Sequence, residues 1–143
     1  LTQMYVRRPY GVGLLVASYD EVSGKPHLFQ TCPSGNIYEF YGTAIGARSQ
    51  SAKTYLEKHF ESFSEIDVDG LIMHALRALQ GCVKGDVELS CENGSVGYVG
   101  KDQKFVTLEG EKLRPYIERL EVEGGGAAAA APEGGEMDVA VEA

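Results

Sequence analysis

Three cysteines, three histidines and a scatter of carboxylates are the groups in this sequence best able to do chemistry. Their spacing argues against most of it. Cys32, Cys82 and Cys91 form no Cys-x-x-Cys pair, and no histidine stands at metal-ligand spacing from any of them. A structural zinc wants about four such ligands held tetrahedrally, so the three read as half-buried free thiols. His59 falls on the apolar face of one expected helix and His74 between apolar neighbours on the next. Both read as core or interface histidines rather than catalytic bases, while His27, after Pro26 beside a turn, reads as a surface residue. Glu57 and Glu61 share a helix face four residues apart, which a solvated surface explains better than acid–base work. Gly11-Val12-Gly13 lacks the third glycine, leading into a helix, that a dinucleotide fingerprint requires. No P-loop pattern occurs, and Ser34-Gly35 follows Pro33 in a turn instead of forming a Gly-x-Ser-x-Gly elbow. No residue is assigned as catalytic, cofactor-binding or metal-ligating.

The elements that would position these side chains belong to a chain of 143 residues, enough for one domain with a core. Thirteen Lys and Arg against twenty-one Asp and Glu give a net charge of −8, a poor match for a nucleic-acid backbone. The charge is uneven. Six acids and no base lie from Glu121 onward, leaving fifteen acids against thirteen bases in residues 1–120. The longest apolar run, Gly11 to Ala17, is far short of the ~20 residues of a membrane span. No basic segment precedes an apolar one at the start, so no secretory signal is read. An odd, small number of cysteines suits free thiols in a reducing compartment. The stretch with Gly124-Gly125-Gly126, five alanines from Ala127 to Ala131, Pro132 and Gly134-Gly135 has too little apolar variety for a core. Residues 122–143 are therefore expected to be a disordered acidic tail, and 1–121 the folded domain.

Residues 12–18 are continuously apolar, which predicts a strand with both faces covered inside a layered sheet. Turn signals at Asp20–Pro26 and Pro33–Asn36 separate it from strands at 27–31, 37–40 and 42–47, the last weakened by Gly42 and Gly46. Four such strands with tight turns suggest antiparallel pairing. Ala52, Tyr55, Leu56, His59, Phe60 and Phe63 trace one helical face, with Ser49 or Ser51 as its N-cap. Val68, Leu71, Ile72, Ala75, Leu76 and Leu79 trace a second, capped by Asp67 and stopped at Gly81. Joined by a few residues, the two helices should pack antiparallel. Strands at 95–100 and 104–108 flank a loop at 101–103, and a last helix over 112–121 carries Leu113, Tyr116, Ile117 and Leu120 on one face. Pro115 fits only in its first turn. The order of elements gives an α+β layered domain.

Longer strings add a resemblance. Thr2-Gln3, then Arg7-Arg8-Pro9-Tyr10-Gly11-Val12-Gly13-Leu14-Leu15, ending in Tyr19-Asp20, resembles the central region of 20S proteasome α subunits. Phe29-Gln30-Thr31-Cys32-Pro33-Ser34-Gly35-Asn36 is similar to the family's next strand–turn–strand, where many members read Asp-Pro-Ser-Gly. Ala44-Ile45-Gly46-Ala47-Arg48-Ser49-Gln50-Ser51-Ala52-Lys53-Thr54-Tyr55-Leu56-Glu57 resembles the entry into its third main helix. Val96-Gly97-Tyr98-Val99-Gly100-Lys101-Asp102 resembles its late hairpin. The likeness covers roughly residues 1–121, and Val6 departs from it where glycine is common.

The resemblance implies a four-layer αββα sandwich of the N-terminal-nucleophile hydrolase type. It implies too that these motifs are the C-terminal half, with the N-terminal half missing and Leu1 a truncation point. The absent helices would leave an apolar face exposed, predicting poor solubility or a molten state for the free chain. The implied role is a non-catalytic structural subunit of the seven-membered α ring, in cytoplasm and nucleus. Its partners would be other α subunits, β subunits and a regulatory particle, and its work gated substrate entry in ubiquitin-dependent protein degradation. No cofactor is implied. Two alternatives stand beside this one. A catalytic β-type subunit would need threonine at residue one, whose free amine (pKa ~8) helps accept the hydroxyl proton; here residue one is Leu1, and Thr2 is acylated at its nitrogen. A binding module would use the acidic tail to recruit a basic partner.

Overall fold

The computed structural model describes residues 8–83 and 88–124. Leu1, Thr2 and the tail beyond Gly124 lie outside the described residues, and with them the alternative of a threonine nucleophile and the expectations of a truncation point and a disordered terminus. Strands β1 (Leu14–Asp20), β2 (Lys25–Thr31) and β3 (Ile37–Glu39) form an antiparallel sheet in that order. Val16 stands opposite Phe29, and Thr31 opposite Ile37. The expected turns close it, with the Gly24 amide donating to Asp20 O (2.8 Å) and the Gly35 amide to Cys32 O (2.9 Å).

The expected strand at 42–47 is irregular backbone instead. Gly46 sits at φ +104°, where a ladder cannot continue, and the Thr43 hydroxyl donates to Gln30 Oε1 (3.3 Å). Helix α1 (Ser49–His59) then runs into a 3-10 turn over Phe60–Ser64. Neither Ser49 nor Ser51 caps it. Both lie inside the helix, their amides donating to Gly46 O and Arg48 O, and the residue at the cap is Arg48 at φ 58° with no side-chain cap bond.

Helix α2 (Val68–Gln80) starts as expected. Asp67 Oδ1 accepts from the Gly70 amide at 2.9 Å, and Gly81 is the C-cap residue. Asp67→Ala is expected to cost about 1 kcal/mol, read as a lower urea midpoint at unchanged slope, whereas Asp67→Asn should cost little. The two helices are antiparallel: Cys82, just past the end of α2, donates to Arg48 O (3.3 Å) at the start of α1, and Tyr55 meets His74 midway.

Strands β4 (Ser95–Gly100) and β5 (Gln103–Glu109) form a hairpin whose loop is two residues, Lys101-Asp102, one shorter than expected. Asp102 takes the left-handed conformation (φ 54°), and the ladder is irregular just before the turn, between Tyr98 and Gly100. Helix α3 (Arg114–Gly124) has Pro115 in its first turn and runs past residue 121, where the sequence placed its end. The core lies between α2, α3 and the hairpin. Ile72, Met73, Leu76, Leu113, Ile117 and Leu120 are buried there, with Val96, Tyr98 and Leu108 packed against them. The Tyr116 hydroxyl donates to Asp69 Oδ1 (2.6 Å), tying α3 to the first turn of α2 and pushing the phenol above its ordinary pKa. No described helix is long and apolar enough to cross a membrane.

Candidate functional site

Two apolar faces in this fold lack a full cover. Residues directly opposite in an antiparallel pair point to the same side of the sheet. Leu15, Ala17, Leu28, Gln30 and Tyr38 therefore share one face of β1–β3, and Leu14, Val16, Phe29, Thr31 and Ile37 the other. The first face looks toward the helices across a cavity of about 400 Å³ lined by Leu15, Leu28, Leu56, Phe63 and Leu79. The second is open: Leu14 is 53%, Val16 46% and Ile37 64% exposed.

Among the described residues β1 is thus not covered on both sides, and an apolar face stands exposed as the resemblance implied. Its apolar run suits a doubly covered strand, yet the described residues supply no full layer over the second face. Helix α2 repeats the pattern. Ile72, Met73 and Leu76 enter the core, while Val68, Leu71 and Leu79 of the expected stripe remain exposed. Met73 was absent from that stripe, because an apolar helix with two sticky faces does not reveal which one is covered.

Where α1 meets α2, four rings gather. Tyr55 Oη lies 2.9 Å from His74 Nδ1, and His59 stacks on Tyr55 with centroids 4.3 Å apart. His59 Nδ1 is 2.7 Å from Tyr55 O; since that carbonyl can only accept, the ring nitrogen donates. Phe63 and His59 each lie 5.4 Å from His74, centroid to centroid. Burial, then Arg77 and His59, hold the His74 pKa below its ordinary value. Both are interface histidines between packed helices, as the sequence suggested. His74 is bonded to a tyrosine and not to a serine, threonine or cysteine nucleophile, so this arrangement is suited to packing.

A lowered folded pKa means that the unfolded chain binds the His74 proton more tightly. The stabilising contribution is complete above the ordinary histidine pKa near 6.5 and is lost as pH falls through and below it. Urea midpoints are expected to drop between pH 7.5 and 5.5, and the slope should flatten in His74→Gln.

His27 is half-buried on β2, its Nδ1 2.5 Å from Glu39 Oε1 and its ring stacked on Phe29. It lies on the open sheet face, partly exposed as the surface reading has it, and on a strand. Cys32 follows β2, Cys82 follows α2 and Cys91 packs on the core; all three are free thiols of intermediate burial. Glu57 and Glu61 are exposed. Among the described residues no group of three or more His, Cys, Asp or Glu could hold a metal ion.

Comparison with known proteins places residues 1–99 in a match to the family described as "Proteasome subunit". "Proteasome subunit alpha type-1" of Dictyostelium discoideum is 54% identical over 123 residues, covering 85% of this chain and 49% of that protein. The protein of the same name in Caenorhabditis elegans is 44% identical over 139 residues, covering 94% and 53%. "Proteasome subunit alpha type-6" of Saccharomyces cerevisiae is 49% identical over 118 residues, covering 81% and 49%. The chain spans about half the length of these relatives.

Proposed function

The chain belongs to the proteasome subunit family, and from that premise we propose that it serves as a non-catalytic structural subunit of the α ring of the 20S core. The observation that carries this reading is the apolar face of Leu14, Val16 and Ile37, left without a full cover among the described residues. A surface of that kind marks a place where other protein sits.

In the same reading the fold is part of a four-layer αββα sandwich. The three helices form one outer layer, and the open sheet face packs against strands and helices outside the described residues. The matched length, about half of each relative, supports taking these residues as half of that sandwich. Its lateral partners are other α subunits and its axial partners β subunits. Gated substrate entry and docking of a regulatory particle, in ubiquitin-dependent degradation, are the work of the ring it joins, in cytoplasm and nucleus. The relatives named above are α-type, which favours a scaffold over a threonine nucleophile.

The test is assembly. An affinity-tagged chain expressed in cells is expected to co-sediment with ring-sized particles containing other α and β subunits. Recovery only as a free chain, or peptide hydrolysis by the purified chain alone, overturns the proposal.

A further inference from the structure

Among the chain's two asparagines, Asn36 precedes isoleucine and Asn93 precedes glycine. The second pairing is the one in which chemistry on the side-chain amide is least hindered, since Gly94 has no side chain to block approach to its nitrogen. The covalent path is simple. The Gly94 backbone nitrogen, giving up its proton to solvent base, attacks Asn93 Cγ. A C–N bond forms, Nδ2 takes up a proton from solvent, the Cγ–Nδ2 bond breaks and ammonia leaves. Water then opens the five-membered imide at either carbonyl, giving aspartate or isoaspartate.

The fold opposes each step. Asn93 Oδ1 accepts from the Ser90 amide (2.8 Å) and Nδ2 donates to Glu88 O (2.8 Å), so both ends of the side-chain amide are drawn back toward the preceding turn. The attacking nitrogen is engaged as well, Gly94 N–H donating to Ser90 O at 3.1 Å. Three hydrogen bonds must open before Cγ can swing onto that nitrogen. The position also resists escape by substitution. A Cβ on Gly94 would lie 3.2 Å from Ser90 O and 3.4 Å from both Leu113 and Leu89 side chains.

We infer that Asn93-Gly94 is a latent deamidation site, held unreactive by the folded 88–94 turn and released when that turn opens. The product does not return to the lock. An aspartate at 93 has no Nδ2 donor for Glu88 O and sets a carboxylate against that carbonyl, while isoaspartate adds a methylene to the backbone. Leu89 and Cys91, which pack on the core from this same turn, lose their anchor. The modification therefore records past opening of the turn and favours its reopening.

The full chain is incubated in mildly alkaline buffer, with and without denaturing urea, and Asn93 and Asn36 are followed by peptide mass spectrometry. Circular dichroism confirms which samples are folded. In urea, Asn93 is expected to convert well ahead of Asn36; in the folded chain it should convert about 10- to 100-fold more slowly than in urea. Hydrogen exchange at the Gly94 amide should be slowed by a similar factor. Equal Asn93 rates in folded and unfolded samples overturn the lock, and conversion in urea no faster than Asn36 overturns the site. Asn93→Gln, whose ring closure is disfavoured, should show no comparable product at 93, and finding one refutes the assigned chemistry.

Discussion

Leu76→Ala is expected to destabilise the fold by about 2–5 kcal/mol, the range for deleting a buried leucine and leaving a cavity. Leu76 is 2% exposed on α2 and sits in the cluster shared with Leu113, which is fully buried, and with Ile117 and Leu120 of α3. Val96, Tyr98 and Leu108 of the β4–β5 hairpin pack against the same cluster, so the space Leu76 leaves is enclosed. Typical domains hold only about 5–15 kcal/mol in all, so this one change consumes a large part of the margin. Equilibrium unfolding in urea measures it. Val122→Ala, at a site 81% exposed, should stay within about 0.5 kcal/mol and serves as the reference. Similar losses for both variants would mean that the α2–α3–hairpin cluster is not the stabilising core.

The triple variant Leu14→Thr, Val16→Thr, Ile37→Thr should act in the opposite sense. These residues are only about half covered in this structure, and threonine has the β-branched shape that a strand accepts. The free chain is expected to become more soluble with its circular dichroism unchanged. Incorporation into ring particles is expected to collapse. Fully covering an aliphatic side chain is worth about 1.5–3 kcal/mol, and about half of that remains for each of these three, so losing about 3 kcal/mol in all weakens association about a hundredfold. Native gels of tagged wild-type and variant chains, read for the fraction in large particles, decide it. Equal incorporation would show that the face stays bare in the assembly.

Periodicity made the helices and the hairpin legible. Apolar residues at helical spacing marked α1, α2 and α3, and Asp67 and Pro115 were read correctly because caps and first turns depend on local chemistry. The failures have a common cause. Whether Gly42–Ala47 becomes a strand depends on a neighbour to pair with, and whether Val16 or Leu79 is buried depends on which layer lies above it. Neither fact is carried by the residues themselves. At the start of α1 the serines were plausible caps, but the chain enters through a left-handed Arg48, a preference no local signal announced. The Tyr55–His74 bond needed two helices brought side by side, so only the apolar setting of each histidine could be read beforehand.

The buried cluster draws wholly on residues 72–120, whereas the open sheet ends at Glu39. Nearby partners along a chain find one another faster than distant ones. On the ribosome the order of appearance is therefore the reverse of the order of consolidation: β1 through β3 emerge first, and the framework beneath them closes only after Leu120 has left the exit tunnel. For that interval the nascent sheet depends on whatever holds it in the cell, and slowing translation between 40 and 120 prolongs its exposure.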